Sequence, residues 1–285
     1  MENKPLKGIL LMNLAMFLLA GMDGISKTLA PDYSVPQILC VRFLIFCLFA
    51  LAIARPKSIR AAFRSRHPYL QIARSLIIVV EVGIFILAFR YLPLADAHAI
   101  AGIAPLLVTA LAVPFLGEKV GLRRWTAIAI GFVGLLVIVR PGIGVFNPAA
   151  LMPLAGAGLW AVYQILVRKV SDDDAATSLL YMAVIGAVVM TLLAPFFWTP
   201  PDTTGWLLLG ALGVVGSLGH YILILAFRAT TATTLQPFHY IVLLWATAIG
   251  YLVFDDLPDL WTILGAAIIA GSGLYAFYRE RRVNS

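Results

Sequence analysis

Long apolar segments separated by short polar ones follow each other along the whole chain. Each apolar segment contains about 20 residues, the length that a helix needs to cross about 30 Å of hydrocarbon at 1.5 Å per residue. The alternation of apolar and polar residues that is typical of a membrane barrel strand is absent from them. The pattern predicts ten membrane-spanning helices: 8–29, 35–54, 71–90, 95–116, 122–140, 149–168, 176–198, 205–227, 231–254 and 260–278.

The chain also repeats itself after 138 residues. Ala88-Phe89-Arg90, an apolar run and Gly117-Glu118 recur as Ala226-Phe227-Arg228, a similar run and Asp255-Asp256. Two further pairs keep this register with small slips: Trp125-Thr126 with Trp261-Thr262, and Met12 with Met152. A repeat of this length predicts two homologous units, residues 1–142 and 149–285, with five spans each.

An odd number of spans in each unit has a topological consequence. The second unit must enter the membrane from the side opposite to the first, so a pseudo-two-fold axis in the membrane plane relates the halves. Inverted repeats of this kind support alternating access around a central site. The predicted fold is therefore an all-α polytopic membrane protein, with ten transmembrane helices arranged as two inverted five-helix repeats around a central cavity.

Composition and charge agree with this class. Hydrophobic residues make up 61% of the chain and charged residues 12%, where soluble domains carry about 25% charged residues; the mean hydropathy is +0.95. With both termini in the cytoplasm, seventeen Lys and Arg lie in or beside cytoplasmic loops, Arg74 among them, against Arg90 and Arg140 on the far side. This bias explains the net charge of +7 by topology and lipid headgroups rather than by nucleic acid.

Ionisable side chains inside the spans are costly, and they mark candidate functional positions. Asp23 and Arg42 lie about 9 and 10 Å from the outer ends of the first two spans, counted at 1.5 Å per residue. Their common depth predicts an Asp23–Arg42 ion pair, and Lys27, one turn above Asp23, is placed to share the carboxylate. Two interpretations stay open: a pair that locks two helices, with Lys27 reaching the headgroups, or an outer gate that clamps a zwitterion.

Two further titratable residues occupy the third and fourth spans. Glu81 lies near the middle of span three, and its repeat equivalent is Gly219, so this carboxyl group occurs in one half only. We interpret it as protonated, paired with Arg42 or facing a wet cavity, with proton coupling and a structural partner as the alternatives. His98 lies about 5 Å from the outer end of span four, a position typical of a solvated or helix-capping histidine.

A second group of polar and aromatic residues lies toward the cytoplasmic side of spans one, six, eight and nine. Amides, imidazoles and aromatic rings at a similar depth are typical of a cavity lining, although the same residue types also bond helices together. With Glu81, the predicted substrate-binding cavity comprises Asn13, Phe17, Trp160, Tyr163, Gln164, His220, Tyr221 and His239.

The motifs of several membrane enzymes are absent from the sequence. It contains no HExxH zinc helix, no GxGD sequence of intramembrane aspartyl proteases and no Walker A sequence. Ser217 and His220 on one helix are a weak indication of a nucleophile and its base. Cys40 and Cys47 lie about 10 Å apart along one helix, too far for a disulfide within it. We predict a protein that is not an enzyme, with no metal site and no cofactor, in which transport is downhill or driven by a gradient.

Several motifs in one order resemble a known family. They are Val41-Arg42-Phe43, the run 105–111 leading to Gly117-Glu118, Gly131-x-x-Gly134 before Arg140-Pro141-Gly142, and Leu159-Trp160-Ala161-x-Tyr163 in the second repeat. Over essentially all 285 residues the chain resembles the EamA-type exporters of the drug/metabolite transporter superfamily, and among them the YddG-like branch. The second half departs from the pattern, because Asp255-Asp256 replaces Gly-Glu and nothing matches Arg42.

The resemblance implies a function and its setting. It implies export of amino acids, aromatic and other apolar ones in that branch, or of related metabolites, across the bacterial inner membrane by alternating access. It also implies a cavity between spans 1–4 and 6–9, with spans five and ten behind. The expected partners are a small-molecule substrate, membrane lipid and, if transport is coupled, protons, in a monomer or homodimer. A lipid-carrier flippase or a non-transporting membrane scaffold is the alternative class.

Overall fold

In the computed structural model, the described part of the chain folds into α-helices joined by short turns; it comprises residues 5–54, 63–117, 121–140, 147–170, 172–229, 235 and 238–284. The helices are α1 Pro5–Leu29, α2 Val35–Ala54, α3 Pro68–Ala88, α4 Leu94–Ala101, α5 Ala104–Leu116, α6 Leu122–Val139, α7 Leu151–Lys169, α8 Ala175–Leu193, α9 Thr203–Ala229, α10 Ile241–Phe254 and α11 Leu260–Asn284. Within the described ranges, seven segments are long and apolar enough to cross a membrane. Three shorter apolar helices, Trp125–Val139, Ile241–Phe254 and Leu260–Tyr275, complete the expected ten.

The fourth predicted span is interrupted. α4 ends at Ala101 and α5 begins at Ala104. Pro105, in the first turn of α5, has no N–H to donate to the Ala101 carbonyl, and its ring crowds the preceding turn. The Gly102 N–H still donates to the His98 carbonyl at 2.9 Å, so the interruption is confined to a tight turn at residues 102 and 103.

The other predicted spans differ from the observed helices at their ends. α3 begins at Pro68, three residues before the predicted start at 71, and α9 extends from Thr203 to Ala229. α10 begins at Ile241, ten residues after the predicted start at 231. Of residues 231–240, the structure describes only 235 and 238–240.

Helix contacts follow an inverted repeat. α1 packs on α9, and its equivalent α7 packs on α3. α1 also packs on α10, as α7 packs on α4 and α5. In the same way α2 packs on α9, and its equivalent α8 packs on α3. The other large contacts, α2 with α8, α6 with α11 and α4 with α10, each join helices that are equivalent in the two halves. A two-fold relation that exchanges the halves reproduces every one of these contacts, as the predicted fold requires.

Two equivalent helix ends share one backbone conformation. Gly117 caps α5 with φ of 70°, and Asp255 caps α10 with φ of 55°, both in the left-handed region. Glycine adopts this conformation without steric cost, and aspartate is among the few other residues that tolerate it. The change from Gly117-Glu118 to Asp255-Asp256 therefore preserves the turn, although Glu118 itself lies outside the described residues.

The fifth and tenth spans, α6 and α11, touch each other through backbone. A Cβ atom on Gly265 would lie 2.5 Å from the Gly134 carbonyl oxygen, and one on Gly134 would lie 2.8 Å from the Gly265 carbonyl oxygen. Gly216 of span eight also serves packing, because a Cβ on it would lie 2.6 Å from Met22 Sδ. Glycine at these positions lets helices approach more closely than any side chain would allow.

The two ends of the bundle differ in charge. We name the end at which α2, α5, α7 and α9 finish the basic end; it carries Arg64, Arg66 and Lys169. The end at which α1, α3, α6, α8 and α10 finish is the opposite end. The predicted orientation places the basic end in the cytoplasm.

At the basic end, Asp173 joins α3 to the turn between α7 and α8. Its carboxylate accepts hydrogen bonds from the Ser65 hydroxyl, the Arg66 N–H at 2.8 Å and the Gln71 side-chain amide at 2.9 Å. Partial burial alone would raise the pKa of Asp173, but these hydrogen bonds outweigh it and lower the pKa to about 2. The ionised carboxylate therefore stabilises this end of the fold.

Replacing Asp173 with asparagine is expected to lower stability by about 1–2 kcal/mol, because a neutral acceptor replaces a charged one at a half-buried site. Since the folded-state pKa lies below the ordinary value of 3.8, this stabilisation is present above about pH 4 and is lost as the pH falls toward 2. Thermal melting in detergent should give the variant a lower Tm near pH 7 and a shrinking difference below about pH 4. Asp172→Asn, at the exposed neighbour, is the control. A Tm difference that persists unchanged to about pH 2 would contradict the assignment.

Candidate functional site

A cavity of about 240 Å³ lies at the centre of the bundle. α1 to α5 and α7 to α10 contribute to its wall, together with residues 239 and 240, whereas the described residues of α6 and α11 do not line it. This is the arrangement implied by the resemblance, with spans five and ten behind. Pockets for drug-sized ligands measure about 300–1,000 Å³, so this cavity suits a small metabolite.

The interruption between α4 and α5 forms part of the cavity wall. Ala101, Gly102, Ala104 and Pro105 all line the cavity. Irregular backbone at membrane depth is tolerated where it faces a cavity instead of lipid, and broken helices typically form the substrate sites of transporters. Pro105 is the sequence signal for this feature.

One acidic and one basic side chain face the cavity without a hydrogen bond or ion pair to any of the described residues. Glu81 of α3 is 8% exposed, and Arg42 of α2 is half-buried. Both line the cavity, and among the described residues neither forms a hydrogen bond or an ion pair. Arg42 is close enough to Glu81 and Asp23 to interact electrostatically with both. A buried charge without a partner is costly, so both groups have unused capacity to bind a ligand.

Asp23 contacts His98, and the predicted ion pair with Arg42 is absent among the described residues. His98 Nε2 lies 3.2 Å from Asp23 Oδ2, and His98 Nδ1 lies 2.9 Å from the Leu94 carbonyl oxygen. His98 is buried in the cavity wall, so its predicted solvated position was wrong as well. Depth along a helix does not determine the direction in which a side chain points, and here His98 of α4 makes the direct contact with Asp23, whereas Arg42 of α2 interacts with it only electrostatically.

Lys27 binds an acidic residue of the other half and not the carboxylate on its own helix. Its ammonium forms an ion pair with Asp256 and lies 4.7 Å from the centre of the Phe254 ring. This contact joins α1 to the turn after α10 at the opposite end. At the basic end, Lys169 of α7 lies 5.8 Å from the centre of the Phe115 ring of α5. Both ends therefore carry a cation over an aromatic ring at nearly equivalent positions.

Four of the predicted cavity residues line the cavity: Glu81, Trp160, His220 and His239. Asp23, Arg42 and His98 of the predicted gate line it too. The Nδ1–H of His220 donates to the Gly216 carbonyl at 2.8 Å, and its ring centre lies 5.7 Å from that of Phe46. The structure thus brings the charged residues of the outer third and the imidazoles of the inner third into one space.

Five predicted cavity residues do not line it: Asn13, Phe17, Tyr163, Gln164 and Tyr221. Asn13 Oδ1 accepts a hydrogen bond from Trp245 Nε1 at 2.8 Å, and Phe17 meets the Trp245 ring edge-on at 4.9 Å. Tyr221 meets the ring of Phe49 edge-on at 5.9 Å. Asn13, Phe17 and Tyr221 thus hold helices together, which is the other use of polar and aromatic groups in a membrane bundle.

Arg74 holds Tyr163 away from the cavity. It donates to the Tyr163 hydroxyl at 3.4 Å, and its guanidinium lies 5.7 Å from the centre of that ring. Arg74 is 3% exposed and also donates to Gln71 Oε1 at 2.6 Å and to the Ser178 carbonyl. The prediction placed Arg74 beside a loop, but α3 begins earlier and carries it into the bundle. Tyr163 still packs on Trp160, with ring centres 5.4 Å apart, and so supports the cavity wall from behind.

Most of the remaining wall is apolar, and reasoning from polar residues missed it. Its larger members are Met16, Leu19, Met22, Phe43, Phe46, Ile78, Phe85 and Met182. A signal was present, because Phe46 and Phe85 follow Arg42 and Glu81 by four residues and neighbours at this spacing share a helix face. The cavity can therefore hold a ligand that combines two opposite charges with an apolar or aromatic portion.

Comparison with known proteins shows that the sequence of this chain is similar to a family of transporters. The model of the EamA-like transporter family matches residues 6–140 and again residues 147–278. A riboflavin transporter of Vibrio cholerae is 30% identical over 275 residues, which cover 94% of this chain and 92% of that protein. An S-adenosylmethionine uptake transporter of Rickettsia bellii is 31% identical over 223 residues, covering 78% and 77%.

Two further similarities extend over nearly the whole chain. A pseudopaline exporter of Pseudomonas aeruginosa is 27% identical over 265 residues, covering 92% of this chain and 93% of that protein. A solved crystal structure with 18% sequence identity superposes with a TM-score of 0.68 over 98% of this chain and 99% of that chain. At this identity the structural match supports the fold alone.

Proposed function

This chain belongs to the EamA-like transporter family, and from that premise we propose that it is a secondary transporter of amino acids or amino-acid-derived metabolites. The family and the similar proteins are transporters and not enzymes, as the sequence predicted. A small-molecule substrate and a multi-pass membrane location follow from the same comparisons. The choice of substrate class rests on one observation: a basic residue, Arg42, and an acidic residue, Glu81, face one cavity, and among the described residues neither forms a hydrogen bond or an ion pair.

An α-amino acid presents the complementary charges on a single carbon atom. Arg42 binds the carboxylate in this proposal, because a guanidinium offers two parallel N–H donors to the two carboxylate oxygens. Glu81 binds the ammonium group. One ligand then neutralises both buried charges, and the cost of leaving them unpaired disappears on binding.

The apolar part of the wall supports a narrower expectation for the side chain. Trp160 and Phe46 offer ring faces, and Met16, Met22 and Met182 offer flexible thioethers that adapt to varied shapes. Amino acids with aromatic or other apolar side chains match such a wall.

The similar proteins suggest two ligand chemistries, which the cavity distinguishes. S-adenosylmethionine carries an α-amino acid head that fits the same pairing of Arg42 with Glu81 and an adenine ring that fits an apolar wall, and its sulfonium adds a second positive charge. Riboflavin is uncharged at neutral pH and would leave both Arg42 and Glu81 without partners. Riboflavin is the second candidate, on the strength of the similar transporter of Vibrio cholerae.

The proposal includes location and direction. We place the protein in the bacterial inner membrane with both termini in the cytoplasm, and propose export by rocking of units 1–142 and 149–285 about the cavity. The charge bias of seventeen basic residues against two supports this orientation. A terminal reporter that is active only in the periplasm would contradict it.

Exchange across proteoliposome membranes tests the substrate class. Vesicles loaded with unlabelled phenylalanine should take up labelled phenylalanine or methionine, whereas phenethylamine and phenylpropionate, which lack one charge each, should compete at least about tenfold more weakly. Uptake of riboflavin without uptake of any zwitterion would favour the second candidate. If no soluble compound is transported, the result would favour the alternative class, a lipid-carrier flippase or a membrane scaffold. Vesicles prepared in both orientations measure the direction.

A further inference from the structure

The geometry of the contact between Asp23 and His98 determines how many protons the two side chains share. A carbonyl oxygen only accepts hydrogen bonds, so His98 Nδ1, 2.9 Å from the Leu94 carbonyl oxygen, carries hydrogen. A neutral imidazole has one N–H, which leaves Nε2 as an acceptor that faces the carboxylate oxygen at 3.2 Å. The contact therefore requires one more proton, on the ring or on the carboxyl group.

A proton can reach this contact through the cavity, and its binding there affects how α1 is held to α4. Both side chains line the cavity. Phe89 stacks on the His98 ring with a centre distance of 6.1 Å, and Phe85 meets it edge-on at 6.1 Å, so aromatic rings hold the imidazole in place. The bond joins α1 to α4, the helix that is interrupted at the cavity.

We propose that Asp23 and His98 form the proton-binding site that couples substrate movement to the proton gradient. The proposal rests on the proposed function, because coupling needs a transported substrate. A proton that arrives from one side of the membrane bridges Nε2 and Oδ2 and closes the contact between α1 and α4. Its release to the other side leaves two acceptors facing each other, and the contact opens. Each cycle thus moves one proton across the membrane, and no covalent bond in the protein changes.

Other charged groups surround this pair and have different tasks. Arg42 from α2 and Glu81 from α3 face the same cavity and bind the substrate. His220 from α9 also lines the cavity and is close enough to Asp23 to interact with it electrostatically, and His239, which precedes α10, is close enough to His98. The charge on the Asp23–His98 pair is therefore sensed by groups from three other helices, which supplies the coupling between proton and substrate.

The proton also affects the ion pair of Lys27, which lies near Asp23 at the end of the bundle named the opposite end. Lys27 lies one turn beyond Asp23 on α1 and forms its ion pair with Asp256. When the α1–α4 contact opens, the segment of α1 that carries Lys27 is released on one side. Loss of the proton therefore weakens the closure between α1 and the turn after α10.

Two substitutions keep the bond and remove its proton. The side-chain amide of Asp23→Asn donates to neutral His98, and that of His98→Gln donates to the Asp23 carboxylate. Under a pH difference of about one unit, wild-type vesicles should accumulate substrate up to about tenfold, the limit for one proton. Both variants should reach only equal concentrations, while exchange at equal pH persists at a reduced rate. Glu81→Gln, the comparison, should keep the pH response although its KM rises. Accumulation by both variants at the wild-type level would overturn the proposal.

A second measurement needs no substrate. In protein labelled with ¹⁵N-histidine in nanodiscs, the signal that is missing from His98→Gln identifies His98. Between about pH 5 and pH 9 the wild-type signal should change as the shared proton leaves, whereas Asp23→Asn should show the neutral Nδ1–H ring throughout. A wild-type His98 signal that stays constant would overturn the proton site. A titrating His98 in a protein that transports no zwitterion would support the proton site and contradict only the proposed function.

Discussion

Exchange of a zwitterionic amino acid is expected to fall roughly 100-fold when Arg42 is replaced with alanine, a loss of about 2.7 kcal/mol. The variant removes the only cavity guanidinium among the described residues and leaves Glu81 facing the carboxylate of the ligand. Arg42→Lys should lose less, because it keeps the charge but not the two parallel donors. Initial exchange rates in proteoliposomes over a range of phenylalanine concentrations measure both effects.

The chain offers matched controls for this experiment. Leu48 lies on the same helix with 70% of its surface exposed toward lipid, and Leu48→Ala should transport at the wild-type rate. Phenethylamine, which has no carboxylate, should compete equally well in wild type and in Arg42→Ala. An equal loss for both ligands, or wild-type exchange by Arg42→Ala, would show that Arg42 does not bind the substrate carboxylate.

The largest effect on stability is expected from Gly265→Val in α11. The added Cβ would lie 2.5 Å from the Gly134 carbonyl oxygen and 2.4 Å from Ile138 Cγ1, closer than van der Waals contact permits. Because a helical carbonyl cannot move alone, α6 and α11 must separate, at a cost of about 3 kcal/mol. Thermal melting of the purified protein in detergent would show this as a clearly lower Tm.

Gly271 on the same helix provides the comparison. A Cβ at this position meets no atom within 4 Å, so Gly271→Val adds the same side chain without a clash and should change stability by less than about 0.5 kcal/mol. Equal melting temperatures for the two variants would mean that the close approach of α6 and α11 contributes nothing to stability.

The number and order of the membrane spans could be predicted because both follow from one-dimensional information. A run of about 20 apolar residues must cross the membrane as a helix, since its backbone can find hydrogen bonds nowhere else. The prediction was wrong in detail where backbone departs from a helix inside the membrane. Between Ala101 and Ala104 the apolar run continues, and only Pro105 marks the interruption.

The site was predicted less well, for a geometric reason. Sequence gives the depth of a residue, but the direction of its side chain depends on how the helix is rotated against its neighbours. Glu81 and Trp160 were predicted at the cavity and lie there. Asn13 has a similar depth to other cavity residues but bonds to Trp245 on α10.

Long-range partners were beyond the reach of the sequence for the same reason. Lys27 and Asp256 are separated by most of the chain, and only the packing of α1 against α10 brings them together. The buried Arg74 is another case, because a basic residue near a span end resembles any other loop cation until the helix is built. Helical periodicity could have predicted one class of the missed residues, because the aromatic rings of Phe46 and Phe85 lie one helical turn after Arg42 and Glu81.

The pairing of α2 with α8, α4 with α10 and α6 with α11 bears on how this chain arose. Each helix of these pairs packs on its own counterpart, so an ancestral protein of half the length, inserted in both directions, had every surface needed to dimerise with itself. Such an ancestor had to keep its loop charges nearly balanced, because a bias would have imposed one direction of insertion. Joining two copies in one gene removed that constraint. Each half could then acquire its own charge bias and its own residues, and Arg42 and Glu81 occur in the first half only.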